Sequence, residues 1–414
     1  MPIRLLSVLL LAGCAAAGPV TDAAPTNAAL PSEACTVPGT WYDAGGRPAA
    51  APALLRRAAG APAVLLGERH DSAEHHRWQL QVLIGIHALN PDIAIGLEML
   101  PRSRQPVLDR WTAGAIGEAD LLRDTDWGAL WGVDPQLYLP ILHFARMNRV
   151  PLVALNVERA LVSRTRREGW AAVPVPERGG VGDPAPPPAG YVDALAAILG
   201  MHDDARDDAR DKEGSGERSD TPDGKRRGPE RDSPEFHRFV EAQSVWDRAM
   251  AERIADTRRA TGRTVVALVG YGHIEKRYGI PHQLDALGVP DAVVMLPWDG
   301  ARRCAMFDGT LADAVFAMDP AQAKKEQAAP KPRLGVTLEP GKEGLRVARI
   351  VDGSIAAAAG IAAGDVLVGA AGVPVRTLAD VSAVVQRQAP GTWLPITLTR
   401  NGRTRQIVAK FPPP

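Results

Sequence analysis

Excess charge, cysteine and aromatic residues are all scarce in this 414-residue chain. Lys plus Arg and Asp plus Glu stand at 48 each, so net charge selects neither nucleic acid nor an acidic surface as a partner. Beyond the first residues, no apolar run approaches the roughly 20 residues that cross a bilayer. There is no P-loop and no Gly-x-Ser-x-Gly elbow for a serine nucleophile. Gly270-Tyr271-Gly272 lacks the third glycine, and the place after an initial strand, of a dinucleotide fingerprint. What is present is a 45 % apolar composition over a length that suffices for two domains.

The first residues bear on compartment. Arg4 gives a positive start, Leu5 to Leu11 an apolar run of signal-peptide length, and Leu11-Ala12-Gly13-Cys14 a small-residue ending. The segment 1–14 resembles a bacterial lipobox, in which Cys14 becomes the acylated first residue; an ordinary signal peptide with an incidental cysteine is the alternative. Multiple acyl chains hold a protein on a membrane durably. The resemblance implies a cell-envelope protein, and Ala15 after the cysteine favours the outer membrane, facing the periplasm. Residues 15–38 read as a tether rich in Ala, Pro and Thr. In an oxidising compartment Cys35 and Cys304 either pair or remain thiols.

Five apolar runs follow: Val64 to Leu66, Ile93 to Leu97, Val150 to Leu155, Thr264 to Val269 and Ala292 to Leu296. They are nearly continuous rather than alternating, as in strands buried on both faces of a parallel sheet. Helical patterns separate them. Asp71 with Glu74 predicts a capping box before the stripe Val82, Leu83, Ile86 and Leu89, and Phe239 to Ile254 is a second helix. The expected fold of 39–310 is therefore α/β, a mostly parallel sheet flanked by helices. Between Asp203 and Asp232, 19 of 30 residues are charged and none is aromatic, which predicts a disordered insertion. Ala172 to Pro188 reads as a loop, and 319–332 as a linker.

The last stretch has a different rhythm. Ser354 and Thr377 are placed to cap helices, and Asn401-Gly402 between Leu394–Arg400 and Thr404–Val408 signals a hairpin. With Gly360-Ile361 and Ala363-Gly364-Asp365-Val366-Leu367, residues 333–411 resemble the PDZ modules of HtrA-type proteases, small β-rich α+β domains. Such modules add a peptide C-terminus as an extra strand and seat its carboxylate on backbone N–H groups. By resemblance the seat is Arg333-Leu334-Gly335-Val336, and the helix from Thr377 is the opposite wall.

The chemically suggestive residues sit where the strands end. Gly67-Glu68-Arg69-His70 follows the first run, Glu98 closes the second, Asn156 and Glu158 follow the third, and Gly270-Tyr271-Gly272-His273 follows the fourth. Ligands of open parallel sheets bind outside the carboxyl ends of strands, so these clusters are expected on one rim. Glu68, His70, Glu98 and His273 suit acid–base work, and His70, Glu98 and His273 suit a divalent metal. Two histidines with a tyrosine also suit haem iron, although no Cys-x-x-Cys-His site for covalent attachment exists. Adjacent residues on a helix diverge, so at most one of His75 and His76 is expected at the rim and both read as surface groups. His87 and His143 read as structural, and Trp127 and Trp131 as core, with the lining of an apolar pocket as the alternative.

The strings Val64-Leu65-Leu66-Gly67-Glu68-Arg69-His70-Asp71, Gly96-Leu97-Glu98-Met99, Ala154-Leu155-Asn156 and Gly272-His273, with Tyr278-Gly279-Ile280-Pro281, resemble the ChaN family. Gln243, Trp246-Asp247 and Met250-Ala251 match a helix of that family. The resemblance implies a haem-binding envelope lipoprotein in haem or iron uptake, with iron held through a tyrosine and a homodimer enclosing paired haems. Tyr271, Tyr278 and Tyr138 are the candidate tyrosines; Tyr42 and Tyr191 are placed less favourably. Arg69 is bulkier than that pattern suggests. The related Tiki and erythromycin esterase groups imply a hydrolase as the alternative. An assembly scaffold governed by the PDZ module, which takes the C-terminal peptide of an envelope protein, is the third reading.

Overall fold

A computed structural model of the chain describes residues 35–199, 231–300, 309–323, 332–341 and 344–413. The anchor segment with Cys14, nearly all of the charged insertion, and Cys304 lie outside the described residues; Cys35 is disulfide-bonded.

The first domain is an eight-stranded sheet of β1 (Trp41–Asp43), β2 (Pro48–Ala49), β3 (Ala63–Glu68), β4 (Ile93–Pro101), β5 (Leu152–Asn156), β6 (Thr264–Gly270), β7 (Val293–Trp298) and β8 (Ala314–Ala317). Its order is β2-β1-β8-β7-β3-β6-β4-β5, and every pairing from β8 to β5 is parallel. All residues of β3, β4, β6 and β7 are buried, as expected of strands covered on both faces. Helices Ala51–Gly60, Ala73–Leu89, Gln105–Thr112 and Leu139–Met147 pack on one face around Leu83, Ile86, Trp111 and Leu142. Pro234–Thr261 and Ile280–Ala286 cover the other around Met250, Ile254 and Leu284. The edge of β5 is closed by one side chain: Gln105 donates to the Leu152 carbonyl (2.8 Å) and accepts from Ala154 N–H (2.9 Å), acting as a short strand partner.

Three expectations shift in detail. Helix Ala73–Leu89 is capped by Ser72, which accepts from His75 N–H, because the Asp71 carboxylate is taken by Arg69. The second helix runs over Pro234–Thr261, capped by Ser233 and ended by left-handed Gly262; its polar ends hid its length. The strand at 314–317 carries the first domain past residue 310.

The second domain is antiparallel: β9 (Val336–Pro340), β10 (Leu345–Ile350), β11 (Val366–Ala370), β12 (Val373–Pro374), β13 (Trp393–Arg400) and β14 (Arg403–Lys410), in the order β14-β13-β11-β10-β9 with β12 on β11. Asn401 and Gly402 both take positive φ and turn the β13–β14 hairpin. Thr377 and Asp380 form a capping box on helix Leu378–Gln386. Arg400 grips buried Asp365 through two 2.6 Å bonds and locks the turn before β11. Helix Leu378–Gln386 touches Trp127–Leu130 of the first domain, with Arg387 3.8 Å from Asp134. Among the described residues, no helix is long and apolar enough to cross a membrane.

Candidate functional site

Parallel register brings the strand ends level: Glu68 lies opposite Gly270 across β3 and β6, and Asn156 opposite Pro101 across β5 and β4. Between Leu97 and Pro101 the β4–β5 ladder slips, so Glu98 sits in a bulge. Asn156 supports it by donating to the Glu98 carbonyl (2.8 Å). Glu68, His70, Glu98, Asn156 and His273 thus share one rim, as their positions after the strands imply.

Two carboxylate–histidine groups occupy that rim. In the first, Glu68 accepts from Tyr138 Oη (2.5 Å) and pairs with His70 Nδ1 (2.8 Å), while His76 Nδ1 lies 3.4 Å from its other oxygen. Burial opposes the charge on Glu68, but the bond to His70 and the charges of His76 and His70 outweigh it and hold the carboxyl below its usual range. Burial, then the neighbouring carboxylate, drives the Tyr138 hydroxyl far above its ordinary value, so it remains a donor. Burial also works against the charge on His70, yet Glu68 and Glu98 raise it overall.

The second group centres on His273. Its Nδ1 lies 2.6 Å from Asp247 Oδ1 and its Nε2 3.6 Å from Glu98 Oε1. Glu98 also accepts from Gly270 N–H (2.6 Å), and Asp247 from Tyr191 Oη (2.7 Å). Although burial disfavours the imidazolium, the two carboxylates push His273 up to about 9. Its Nδ1 is committed to Asp247, while its Nε2 faces Glu98 at 3.6 Å, beyond hydrogen-bond distance. His70, Glu98 and His273 come together at this rim; among the described residues no group of three or more His, Cys, Asp or Glu is placed to hold a metal ion.

Beside the two groups, reached through Trp131 and Trp246, lies a cleft of about 300 Å³ lined by these rings with Met99, Leu130 and Val157, and with Arg159 as the charged residue among its described lining. The rings of Trp131 and His70 meet edge-on at 4.6 Å, and those of Trp246 and His273 at 4.9 Å. An apolar cleft with one cation at its side fits a flat apolar ring bearing acidic substituents, of which haem is an example.

Several residues are placed otherwise than expected. His75 and His76 are both buried and both engaged. His75 Nδ1 accepts from Arg69 N–H (2.9 Å), and His76 reaches Glu68, Gln79 and the His70 carbonyl. They diverge from the helix as expected, but the loop 69–72 folds over the first turn and encloses both. Trp131 packs against the first core and also lines the cleft, whereas Trp127 is buried. Tyr138 is buried with its hydroxyl committed to Glu68. Tyr271 packs on the second core, and Tyr278 stacks on Tyr191 (5.7 Å) with its hydroxyl against Gly190. Arg69 turns away to Asp299 (2.6 Å) and Asp71. The sequence singles out Trp246 and Asp247 only through their match to a helix of the resembled family; the fold sets both against His273.

Among the described residues of the second domain β9 pairs only with β10, and no described strand covers its outer edge beside helix Leu378–Gln386. The carbonyls of Leu334 and Gly335 are used inside the module, by Ala356 and Val351 N–H. Gly335 holds φ +81°, and a side chain there would begin 2.2 Å from Ser354 Cβ. Leu334 is buried, Val336 half-buried and Arg333 exposed.

A family profile described as haem-binding uptake, Tiki superfamily, ChaN matches residues 54–284, and a PDZ domain profile matches 332–410. Among solved structures, one of Campylobacter jejuni ChaN with cofacial haem binding is 18 % identical, with a TM-score of 0.49, covering 67 % of this chain and 95 % of that one. A serine endoprotease from Yersinia pestis is 27 % identical over 24 % of this chain and 38 % of its own, with a TM-score of 0.19. No curated protein matches the sequence.

Proposed function

The chain belongs to the ChaN family of haem-binding uptake proteins in the Tiki superfamily and carries a C-terminal PDZ domain, and from this premise we propose that it binds haem in the cleft between Trp131 and Trp246. One observation carries the proposal: each tryptophan wall of the cleft rests edge-on against a histidine that a buried carboxylate holds in place. The apolar walls would exclude water from the ring, and Arg159 would meet a propionate at the side. Haem supplies an iron centre when bound; the rim residues orient and insulate it. A second copy of the chain covering the open side of the cleft belongs to the same proposal.

The wider role we infer is haem or iron uptake at the cell envelope, with acylated Cys14 as the anchor in the outer membrane on its periplasmic side. The open edge of β9 would take the C-terminal peptide of an envelope partner and bring it to the haem domain. A hydrolase acting through Glu68, His70, Glu98 and His273 is the second reading, favoured by the two carboxylate–histidine pairs.

A titration of the form lacking residues 1–20 with haemin, followed by absorbance, separates the two. A saturable Soret shift supports haem binding. No shift, together with cleavage of a peptide or ester substrate that is lost in Glu98→Gln, would establish the hydrolase instead.

A further inference from the structure

One short segment serves both domains. Helix Trp127–Leu130 and the turn after it supply Leu130 and Trp131 to the cleft, and on the same helix Leu378–Gln386 of the second domain leans against the first. Just past that second helix, Arg387 lies 3.8 Å from Asp134. Asp126 and Gly132 bracket the segment in left-handed conformations, φ +54° and +74°, and for aspartate that conformation is strained. Trp127 is buried and its Nε1 donates to the Val133 carbonyl (2.9 Å), which staples the residues between into one piece. Trp131 in turn donates to Tyr138 Oη (3.2 Å) and meets the His70 ring at 4.6 Å. A shift of this piece therefore reaches the cleft wall and the carboxylate–histidine group behind it.

Helix Leu378–Gln386 also approaches β9 to within 8 Å, Cα to Cα. A strand added to β9 would lie about 4.8 Å from it, and even closely facing strand residues keep about 4.5 Å between Cα atoms. Together these exceed the space beside β9, so the helix yields when a peptide enters. We propose that peptide capture by the second domain is coupled to ligand retention in the first. A peptide seated between β9 and helix Leu378–Gln386 displaces that helix against Trp127–Leu130, and the cleft loosens its hold on haem. The inference rests on the haem and peptide readings above. Trp246, on the long helix Pro234–Thr261, is the opposite wall of the cleft. A ring held between two such walls is sensitive to their spacing, because a gap of about 0.5–1 Å already forfeits a quarter to a half of the dispersion attraction. Linkage makes the effect reciprocal, so haem weakens the peptide by the same factor.

The test uses the full chain in detergent and a fluorescent decapeptide with an aliphatic last residue and a free carboxylate. Saturating peptide should weaken haemin binding, followed by absorbance, at least about fivefold, and haemin should weaken the peptide equally. In the haem-free chain the peptide should also speed amide hydrogen exchange across residues 126–134. Arg387→Glu, which sets a carboxylate against Asp134, should keep both separate affinities and lose the coupling. Haemin affinity indifferent to bound peptide overturns the inference and leaves the haem reading standing. Exchange that changes in the second domain alone, or coupling that survives Arg387→Glu, overturns the route through this segment and the inference as stated. A native chain with no saturable Soret band overturns the haem reading, and one that does not take up the decapeptide overturns peptide capture; either result removes the inference as well.

Discussion

Tyr138 and Glu68, 70 residues apart in sequence, share a 2.5 Å hydrogen bond buried behind Trp131, a wall of the cleft. The hydroxyl comes from the turn before helix Leu139–Met147 and the carboxylate from the last residue of β3. Around this bond, His76 stacks on Tyr138 at 4.2 Å and Trp131 donates to its oxygen (3.2 Å). The bond ties a helix face of the first core to the rim, so changes there register in both stability and ligand binding.

Tyr138→Phe retains the ring and its packing but leaves Glu68, almost without solvent contact, short of a donor. A buried acceptor that loses its partner costs about 1–3 kcal/mol. Urea unfolding should report that loss with an unchanged slope. Tyr138→Ala should lose about 3–5 kcal/mol, because a cavity is added. Equal stability of Tyr138→Phe and the native chain would show that the bond contributes nothing.

His273 makes stability depend on alkaline pH. Its folded value, about 9, lies above the ordinary 6.5, so the folded state holds the proton more tightly than the unfolded chain. The contribution is complete below about pH 6.5 and is lost as pH rises to about 9, for a total of about 3 kcal/mol. Asp247→Asn removes one of the two charges responsible and should shrink the loss and move it to lower pH. Denaturation midpoints from pH 6 to 10 check this; a profile that is flat, or the same in both proteins, would refute it.

The strands were legible in the sequence because a parallel sheet covered on both faces leaves continuous apolar runs such as Val64 to Leu66. The rim was legible for the same reason, since polar residues directly after those runs have few other places to go. The partners were not. Asp247 lies mid-helix, and nothing local distinguishes it from a solvent-facing aspartate until the fold sets that helix against His273. His75 and His76 look like surface groups because the loop that buries them has no periodicity. Trp131 reads as core, since an aromatic wall and an aromatic core are alike in sequence. The β8 strand, Ala314–Ala317, is too short for its pattern to stand out.

Gly270→Ala tests the space around His70. The backbone there, at φ −56°, accepts alanine without strain, but the new Cβ would lie 2.8 Å from His70 Cε1. The ring is the part free to move, and moving it stretches the bond to Glu68. Haemin affinity should fall by about tenfold, which corresponds to about 1.4 kcal/mol, while the melting temperature changes little. Unchanged affinity would show that the position of His70 is irrelevant to the ligand.

Gly335→Ala separates the two domains functionally. At φ +81° a side chain is strained, and its Cβ would fall 2.2 Å from Ser354 Cβ, the residue that caps helix Ile355–Ala358. The turn leading into β9 must shift, and with it the N–H groups proposed to seat a terminal carboxylate. Val336 and Leu338 on β9 pack half-buried against the module's core, and Leu378 on the neighbouring helix is half-exposed, which leaves apolar surface beside the edge of β9. A fluorescent decapeptide with an aliphatic last residue and a free carboxylate should therefore bind the native chain and lose at least about tenfold on amidation. Gly335→Ala should weaken the free-acid peptide to a similar degree, with haemin binding intact because the cleft lies in the other domain. Indifference to both amidation and the substitution would rule out carboxylate capture at this turn. Loss of haemin binding together with the peptide would mean that the two domains do not act independently, and would direct attention to the contact between helix Leu378–Gln386 and Trp127–Leu130, whose last residue lines the cleft.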